Sequence, residues 1–120
     1  MDVRGIRGAI TASKNDKQAI VDATGRLLRE IVFVNDVIVE DIAAVFFTTT
    51  PDLNAEFPAA AARMLGWQHV PLLCGHEMSV PGRLDSCIRV LVLVNTEKQQ
   101  KDVRHLYLDG AAALRPDLQV

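Results

Sequence analysis

The sequence has few or none of the features that mark several large classes of protein. Its only cysteines are Cys74 and Cys87, and its first residues lack the pattern of a secretory signal, so we expect reduced thiols and a cytoplasmic protein. No apolar run approaches the roughly 20 residues that a membrane-spanning helix needs, so we expect no membrane partner. The net charge of −2 argues against nucleic acid as a partner, because nucleic acid is usually bound by clustered basic residues.

The signatures of metal, phosphate and nucleotide sites are also missing. The three histidines lack the spacing of a metal site, and no Cys-x-x-Cys pair occurs. Gly5 and Gly8 belong to a predicted strand, where they would let another element approach the backbone closely, and they match neither the P-loop nor the dinucleotide fingerprint. We therefore predict no metal and no cofactor. Cys74 and His76 could form a nucleophilic pair, but a buried cysteine is more often a small core residue.

The composition is that of a folded chain with one core. Hydrophobic residues make up 49% and charged residues 23% of the sequence, a balance typical of globular proteins. A chain of 120 residues is too short for two independent cores, so we predict a single domain over residues 1–120. Aromatic residues are only 5%, so the core must be built mainly from Val, Leu, Ile and Ala.

The hydrophobic pattern predicts an α/β (α+β) fold. Strands are predicted at 2–11, 43–49, 70–74, 88–96 and 105–108, helices at 17–35 and 59–65, and an irregular loop at 75–86. Spacings of three and four residues give the first helix a single buried face, made of Ile20, Ala23, Leu27, Ile31 and Val34. This order of elements suits one sheet with helices on one face. Oligomerisation is the usual way to cover the other face.

Local signals predict the start of the first helix and both ends of the second. Asn15 and Asp16 offer side-chain caps for the first helix. Pro58 suits the first turn of the second helix, and Gly66 suits its C-terminal cap.

Three arginines stand inside apolar segments, where a charge is not expected. They are Arg89 in IRVLVLV at 88–94, Arg7 in GIRGAI at 5–10 and Arg115 in AALRP at 112–116. Side chains alternate along a strand, so Arg89 shares its face with Leu91 and Leu93, and the pattern predicts that both faces of this strand are buried. An unpaired buried charge is costly, so Arg89 needs an acidic side chain or a bound anion as its partner. Together the three arginines suggest a pocket for a small, multiply charged anion.

Each of these candidates also has an ordinary structural interpretation. Arg7 and Arg89 could form structural ion pairs within the protein. Other polar and aromatic residues of interest have common roles at the surface or in packing: Arg63, Glu77, Arg115, Phe57 and Tyr107.

Short blocks of sequence along essentially the whole chain point to one family. They are RGIRGA at 4–9, TPDL at 50–53 with FPA at 57–59, GWQ at 66–68 with VP at 70–71, Cys74 with EM at 77–78, CIRV at 87–90, RHLYL at 104–108 and LRPDL at 114–118. In this order and at these spacings they resemble the AroH-class (Bacillus-type, monofunctional) chorismate mutases. The chain departs from some members at Ala60, where they have lysine, and at Leu73, where they have threonine.

The resemblance implies a fold, an assembly and a reaction. The fold would be a ferredoxin-like, chorismate-mutase-II-type mixed sheet with helices on one face. The assembly would be a homotrimer that forms a pseudo α/β barrel, with active sites in clefts between adjacent subunits. The reaction would be the isomerase-type rearrangement of chorismate to prephenate in the shikimate pathway, on the route to phenylalanine and tyrosine.

The resemblance also implies a set of site residues. The catalytic residues would be Arg7, Glu77 and Arg89. The substrate would be bound by a larger group of residues: Arg7, Phe57, Arg63, Leu72, Leu73, Cys74, Glu77, Arg89, Tyr107, Leu114 and Arg115. We expect Arg7, Arg89 and Tyr107 on one wall of the cleft and Phe57 and Arg63 on the other.

Two other functions are compatible with such arginines. Trimeric imine or enamine deaminases have small α/β protomers and a carboxylate-binding arginine in a cleft between subunits. A non-catalytic trimeric protein could bind dicarboxylates without turnover. The formation of prephenate from chorismate would separate the three.

Overall fold

The computed structural model describes residues 1–118, which form a five-stranded mixed sheet covered by two helices. The strands are β1 (Asp2–Thr11), β2 (Ile42–Thr49), β3 (Leu72–His76), β4 (Cys87–Thr96) and β5 (Leu106–Tyr107), and the helices are α1 (Lys17–Asn35) and α2 (Ala59–Met64). The strand order is β3-β2-β4-β1-β5. The middle strand β4 runs antiparallel to both of its neighbours, and each edge strand runs parallel to the strand beside it. The predicted mixed sheet is confirmed.

Helix α1 has the predicted limits, and one of its two predicted capping residues is the N-cap. The Asp16 carboxylate accepts a hydrogen bond of 2.7 Å from the backbone N–H of Ala19, so Asp16 is the N-cap. Asn15 has a different role, because its side-chain oxygen accepts the N–H groups of Asn54 and Ala55. At the other end Asp36 takes a left-handed conformation with φ of 51° and closes the helix.

Helix α2 starts at the predicted residue and ends one residue earlier than predicted. Pro58 is the N-cap, the last helical residue is Met64, and Leu65 is the C-cap. Gly66 follows with φ of +85°, a conformation that residues with a Cβ rarely adopt, and its N–H donates to the carbonyl of Arg63.

The core lies between the helices and one face of the sheet. It consists of buried aliphatic residues from α1 and from alternate positions of the strands, with Phe47 and Trp67 as its aromatic members. On β4 the core-facing residues are Ile88, Val90, Val92 and Val94, which are at most 4% exposed. The alternation along the strand therefore sends Arg89, Leu91 and Leu93 to the opposite face.

The prediction that both faces of β4 are buried is wrong for the single protomer. Leu91 is 37% exposed, and the side chain of Arg89 is 42% exposed. Phe46 and Leu73 are exposed large hydrophobic residues on the same face. We call this side, which neither α1 nor α2 covers, the open face of the sheet. Near β5 it holds a second buried cluster of Ala9, Cys87, Tyr107 and Ala111, but around Phe46, Leu73 and Leu91 its apolar surface has no covering element within residues 1–118.

Strand β1 has its predicted limits, β2 and β4 each start one residue earlier than predicted, and β3 and β5 differ at both ends. Strand β3 starts at Leu72 and ends at His76, two residues later than predicted, because its parallel pairing with β2 continues to the pair of Thr49 and His76. The loop that follows is therefore shorter, at 77–86. Strand β5 has only two residues, and short 3-10 turns that the sequence did not predict follow it at Asp109–Leu114 and Pro116–Leu118. In the described part of the chain no helix is long and apolar enough to span a membrane.

Gly8 allows the helix layer to lie directly on β1. A Cβ at this position would stand 2.8 Å from Cδ1 of Ile31, 3.1 Å from Cδ1 of Leu27 and 3.2 Å from the backbone oxygen of Leu106. Ile31 and Leu27 are fully buried, so they have little room to move away. The close backbone approach predicted for this glycine is confirmed.

We expect Gly8→Ala to lower the free energy of unfolding by about 1–3 kcal/mol, the usual cost of overpacking a core. Gly5→Ala is the matched control, since a Cβ there meets only the ends of Leu91 and Leu93 side chains on the open face, at 3.3 and 3.7 Å. Urea unfolding of both variants checks the prediction. Equal stabilities for the two variants would contradict it.

Candidate active site

The register of the strands places a row of candidate residues across the open face. Tyr107 pairs with Ala9, Ala9 pairs with Arg89, and Arg89 pairs with Thr48. Residues paired in this way on one face have Cβ atoms only about 5 Å apart. Ala9 is the small member of the row, and it is buried in a cluster with Cys87, Tyr107 and Ala111.

A second row lies beside the first. Arg7 pairs with Leu91, Leu91 pairs with Phe46, and Phe46 pairs with Leu73. The two rows border a cavity of about 310 Å³ that contains Arg7, Arg89 and Tyr107 together in its lining. The structure therefore brings three of the predicted site residues together, all from the same wall as predicted.

The anionic partner that Arg89 requires is Glu77. Its Oε2 lies 3.0 Å from Nε of Arg89, and the two side chains are 31% and 42% exposed. The Nε–H is buried and its direction does not give a hydrogen bond to Glu77 or to any other group in residues 1–118, so the pair is held by charge rather than by an aligned hydrogen bond. A partly exposed pair of this kind contributes little to stability.

Glu77 is placed by the end of strand β3. The backbone N–H of Glu77 donates to the carbonyl of Thr49 at 2.7 Å, which holds the chain close to β2 as it leaves the sheet. From there the side chain reaches past Thr48, whose hydroxyl donates to Oε2 at 3.0 Å. Glu77, Arg89 and Leu114 also line a larger cavity of about 500 Å³ under the loop 77–86.

The C-terminal turns bring Arg115 toward the same wall. Arg115 forms an ion pair with Asp117 at 2.9 Å, and this hydrogen-bonded carboxylate, with a smaller contribution from Tyr107, raises the pKa of Arg115. In return the Arg115 hydrogen bonds lower the pKa of Asp117, and the charge of Arg7 lowers it further. Arg7, Arg115 and Tyr107 therefore belong to one electrostatic group with Asp117.

His105 belongs to this group as well, although no functional role was predicted for it. Its Nδ1 accepts a hydrogen bond of 2.9 Å from the backbone N–H of Arg7. Burial lowers the pKa of His105, and the positive charges of Arg7 and Arg115 lower it further. The histidine is thus kept neutral beside two guanidinium groups. Only its place in the RHLYL block, next to Tyr107, could have drawn attention to it.

The second predicted wall is elsewhere on the protomer. Phe57 is 65% exposed and lines a cavity of about 330 Å³ together with Cys74 and His76. Arg63 and Leu72 line a different cavity of about 510 Å³ next to Trp67. Leu73 is exposed on the open face. These residues belong to α2, to the segment before it and to the edge strand β3.

The two edge strands are far apart within one protomer. Strand β3 and strand β5 stand at opposite edges of a five-stranded sheet. With strands roughly 4.8 Å apart, the distance between these edges is about 19 Å. Residues of β3 and α2 therefore do not reach Tyr107 in the same chain.

The chemistry of the other polar groups is limited by their contacts. Both cysteines are free thiols, as predicted. Nδ1 of His76 lies 3.1 Å from the hydroxyl of Thr49, so this nitrogen is engaged by a threonine and not by Cys74. Burial raises the pKa of the Cys87 thiol, which keeps it protonated and unreactive. In the part of the chain described, no three His, Cys, Asp or Glu side chains are arranged to hold a metal ion.

The lowered pKa of His105 predicts a loss of stability in mild acid. Below pH 6.5 the unfolded chain binds a proton at His105 before the folded chain does, so the free energy of unfolding falls as the pH is lowered from about 7 to 5. We expect His105→Asn, which offers an acceptor oxygen near the position of Nδ1, to show a shallower fall over this range. Urea titrations at several pH values measure both slopes. A free energy of unfolding that stays constant between pH 7 and 5 would contradict the prediction.

Comparison with known proteins identifies the family of the chain. The family described as chorismate mutase type I matches residues 3–118. Chorismate mutase AroH of Bacillus subtilis (strain 168) is 45% identical over 121 residues, which cover 100% of this chain and 95% of that protein. Chorismate mutase AroH of Thermus thermophilus is 51% identical over 118 residues, which cover 98% and 97%. The solved structure of a chorismate mutase from Clostridium thermocellum matches with a TM-score of 0.90 and 48% identity, over 91% of this chain and 97% of that one. The resemblance noted in the sequence is confirmed, and the chain belongs to the type I chorismate mutase family.

Proposed function

We propose that the protein is an isomerase that rearranges chorismate to prephenate, as a cytoplasmic step in the synthesis of phenylalanine and tyrosine. The observation that carries this proposal is the position of Arg89, fixed in the middle of the sheet beside Glu77 and grouped with Arg7 and Tyr107 around one cavity. The family to which the chain belongs supports the choice of substrate.

The reaction sets clear demands on a site. Chorismate is a dianion, and in one concerted step its ether C–O bond breaks while a new C–C bond forms within the same molecule. No proton has to be transferred and no covalent intermediate is formed. The enzyme must hold the compact, chair-like conformer and stabilise the negative charge that grows on the ether oxygen.

Arg89 meets the second demand. Its guanidinium group is permanently charged and presents several N–H donors in one plane, so it can reach the ether oxygen and a neighbouring carboxylate together. Because the backbone of Arg89 is held by pairing on both sides, little reorganisation is needed when charge develops.

The neighbouring residues meet the first demand. Arg7, Tyr107 and Arg115 are grouped where they can hold a carboxylate of the substrate. Glu77 can accept a hydrogen bond from the ring hydroxyl. Leu114 lies at the larger cavity beside Glu77 and Arg89, where it can help to close the site.

The remaining site residues imply an assembly. In the proposed homotrimer, the edge with β3 and α2 of one subunit faces the edge with β1 and β5 of the next. Phe57 and Cys74 would then form the apolar wall opposite Arg89, and further residues of that edge would close it: Arg63, Leu72 and Leu73. The separation of the two walls in one protomer and the exposed apolar residues of the open face support this arrangement.

We expect the purified protein to convert chorismate to prephenate, and Arg89→Ala to lower kcat by at least about 10²–10³-fold, the usual loss for one preorganised donor. Arg89→Lys should lose most of the same activity, because an ammonium group cannot reproduce the planar fork. Steady-state kinetics, with both compounds followed by chromatography, measure these effects. Arg29→Ala and Arg29→Lys, at an exposed position of α1, are matched controls and should keep wild-type rates. Full turnover by Arg89→Lys would refute the electrostatic role.

Mixing variants of the two walls tests the shared cleft. With free exchange of subunits, Arg89→Ala and Phe57→Ala in equal amounts should restore about one quarter of the clefts, because each intact cleft needs one wall from each variant. Arg89→Ala mixed with Arg7→Ala should restore none, since both changes lie on the same wall.

Sedimentation equilibrium should give three times the protomer mass of 13.2 kDa. A fully active monomer would contradict the shared cleft.

A further inference from the structure

Thr48 stands between the two charged groups of the site. It is paired with Arg89 on the neighbouring strand β2, and its hydroxyl donates a hydrogen bond of 3.0 Å to Oε2 of Glu77. The same oxygen lies 3.0 Å from Nε of Arg89. Thr48 also lines the cavity shared by Arg7, Arg89 and Tyr107.

Because of this hydrogen bond, the two oxygens of the Glu77 carboxylate have different environments. Oε2 is engaged by Thr48 and by the charge of Arg89. No hydrogen bond from residues 1–118 reaches Oε1. The backbone N–H of Glu77 fixes the start of the side chain, and the Thr48 hydroxyl fixes its end. The carboxylate therefore has one oxygen held by the protein and one oxygen free to accept.

We propose that Thr48 is a positioning residue for Glu77. Its hydroxyl holds Oε2 in a hydrogen bond, so that Oε1 of Glu77 is directed toward the ring hydroxyl of the substrate. This inference rests on the proposed function. Without the hydroxyl, Glu77 can turn and form an aligned, two-pronged pair with Arg89, which would engage both carboxylate oxygens and the guanidinium donors. The substrate would then lose Oε1 of Glu77 as a hydrogen-bond acceptor and some of the Arg89 N–H groups as donors.

The test is a double-mutant cycle between Thr48 and Glu77. We expect Thr48→Val, which keeps the shape and removes the donor, to lower kcat/KM about tenfold, the lower end for a hydrogen bond to a charged group. The loss should fall more on KM than on kcat, because the ring hydroxyl is present in substrate, transition state and product. Thr48→Ser should stay within twofold of the wild type. In a Glu77→Ala background, Thr48→Val should change kcat/KM by less than twofold.

Titration of prephenate by calorimetry measures the affinity of each variant of the double-mutant cycle without turnover. Prephenate is a suitable ligand because the product keeps the ring hydroxyl. Thr48→Val should weaken prephenate binding about as much as it raises KM, and only when Glu77 is present. Thr96→Val, a half-buried threonine at the far end of β4, is the matched control and should bind and turn over as the wild type does. Circular dichroism checks folding of each variant, and Thr48→Ala replaces Thr48→Val if the latter is unfolded.

Three results would overturn the proposal for Thr48. They are wild-type kinetics for Thr48→Val, an equal loss with and without Glu77, and a failure of Thr48→Ser to restore activity. An equal loss would mean that the hydroxyl contacts the substrate itself or acts through general stability. A wild-type protein that neither consumes chorismate nor binds prephenate would instead refute the proposed function, and this appears before any variant is measured.

Discussion

A single positive charge in the middle strand of the sheet is the constraint on which the open face depends. Arg89 cannot face the core, where its own strand contributes only aliphatic side chains, so the alternation along β4 places it on the opposite side. There its neighbours on the paired strands are Ala9 and Thr48, one small and one polar, and Glu77 supplies the opposite charge from the end of β3. The positions of these site residues are thus set by the pairing of the strands, and paired strands are more rigid than a loop would be.

The helix-covered face of the sheet contributes most of the buried core, and the open face carries the candidate site. The helix-covered face holds the fully buried aliphatic residues, and Gly8 brings α1 close enough to pack against them. The open face carries guanidinium groups, an acidic side chain and exposed hydrophobic residues such as Phe46 and Leu91. Because Arg89 and Glu77 are partly exposed, their substitution removes little packing, whereas Tyr107 is buried with Ala9 and Ala111.

The elements were more predictable from the sequence than the contacts between them. The limits of α1 follow from a capping aspartate and a regular apolar stripe, and both signals are local. The exposure of Leu91 was missed because a run of apolar residues looks the same whether its second face is covered by a helix or by nothing in the same chain. Thr48 and His105 were missed because their importance comes from pairing with distant strands, and register cannot be read from one sequence.

The charged groups on the Arg89 wall suit a dianion. Three guanidinium groups, those of Arg7, Arg89 and Arg115, lie on this wall, where Glu77 pairs with Arg89 and Asp117 pairs with Arg115. His105 adds no charge, because burial and the nearby arginines keep it neutral. The side chain of Asp117 is 64% exposed, so a substrate carboxylate can compete for Arg115 without first removing a buried partner. On the proposed function, the site selects its ligand through these guanidinium groups, and it performs the rearrangement through donors that are in place before the substrate arrives.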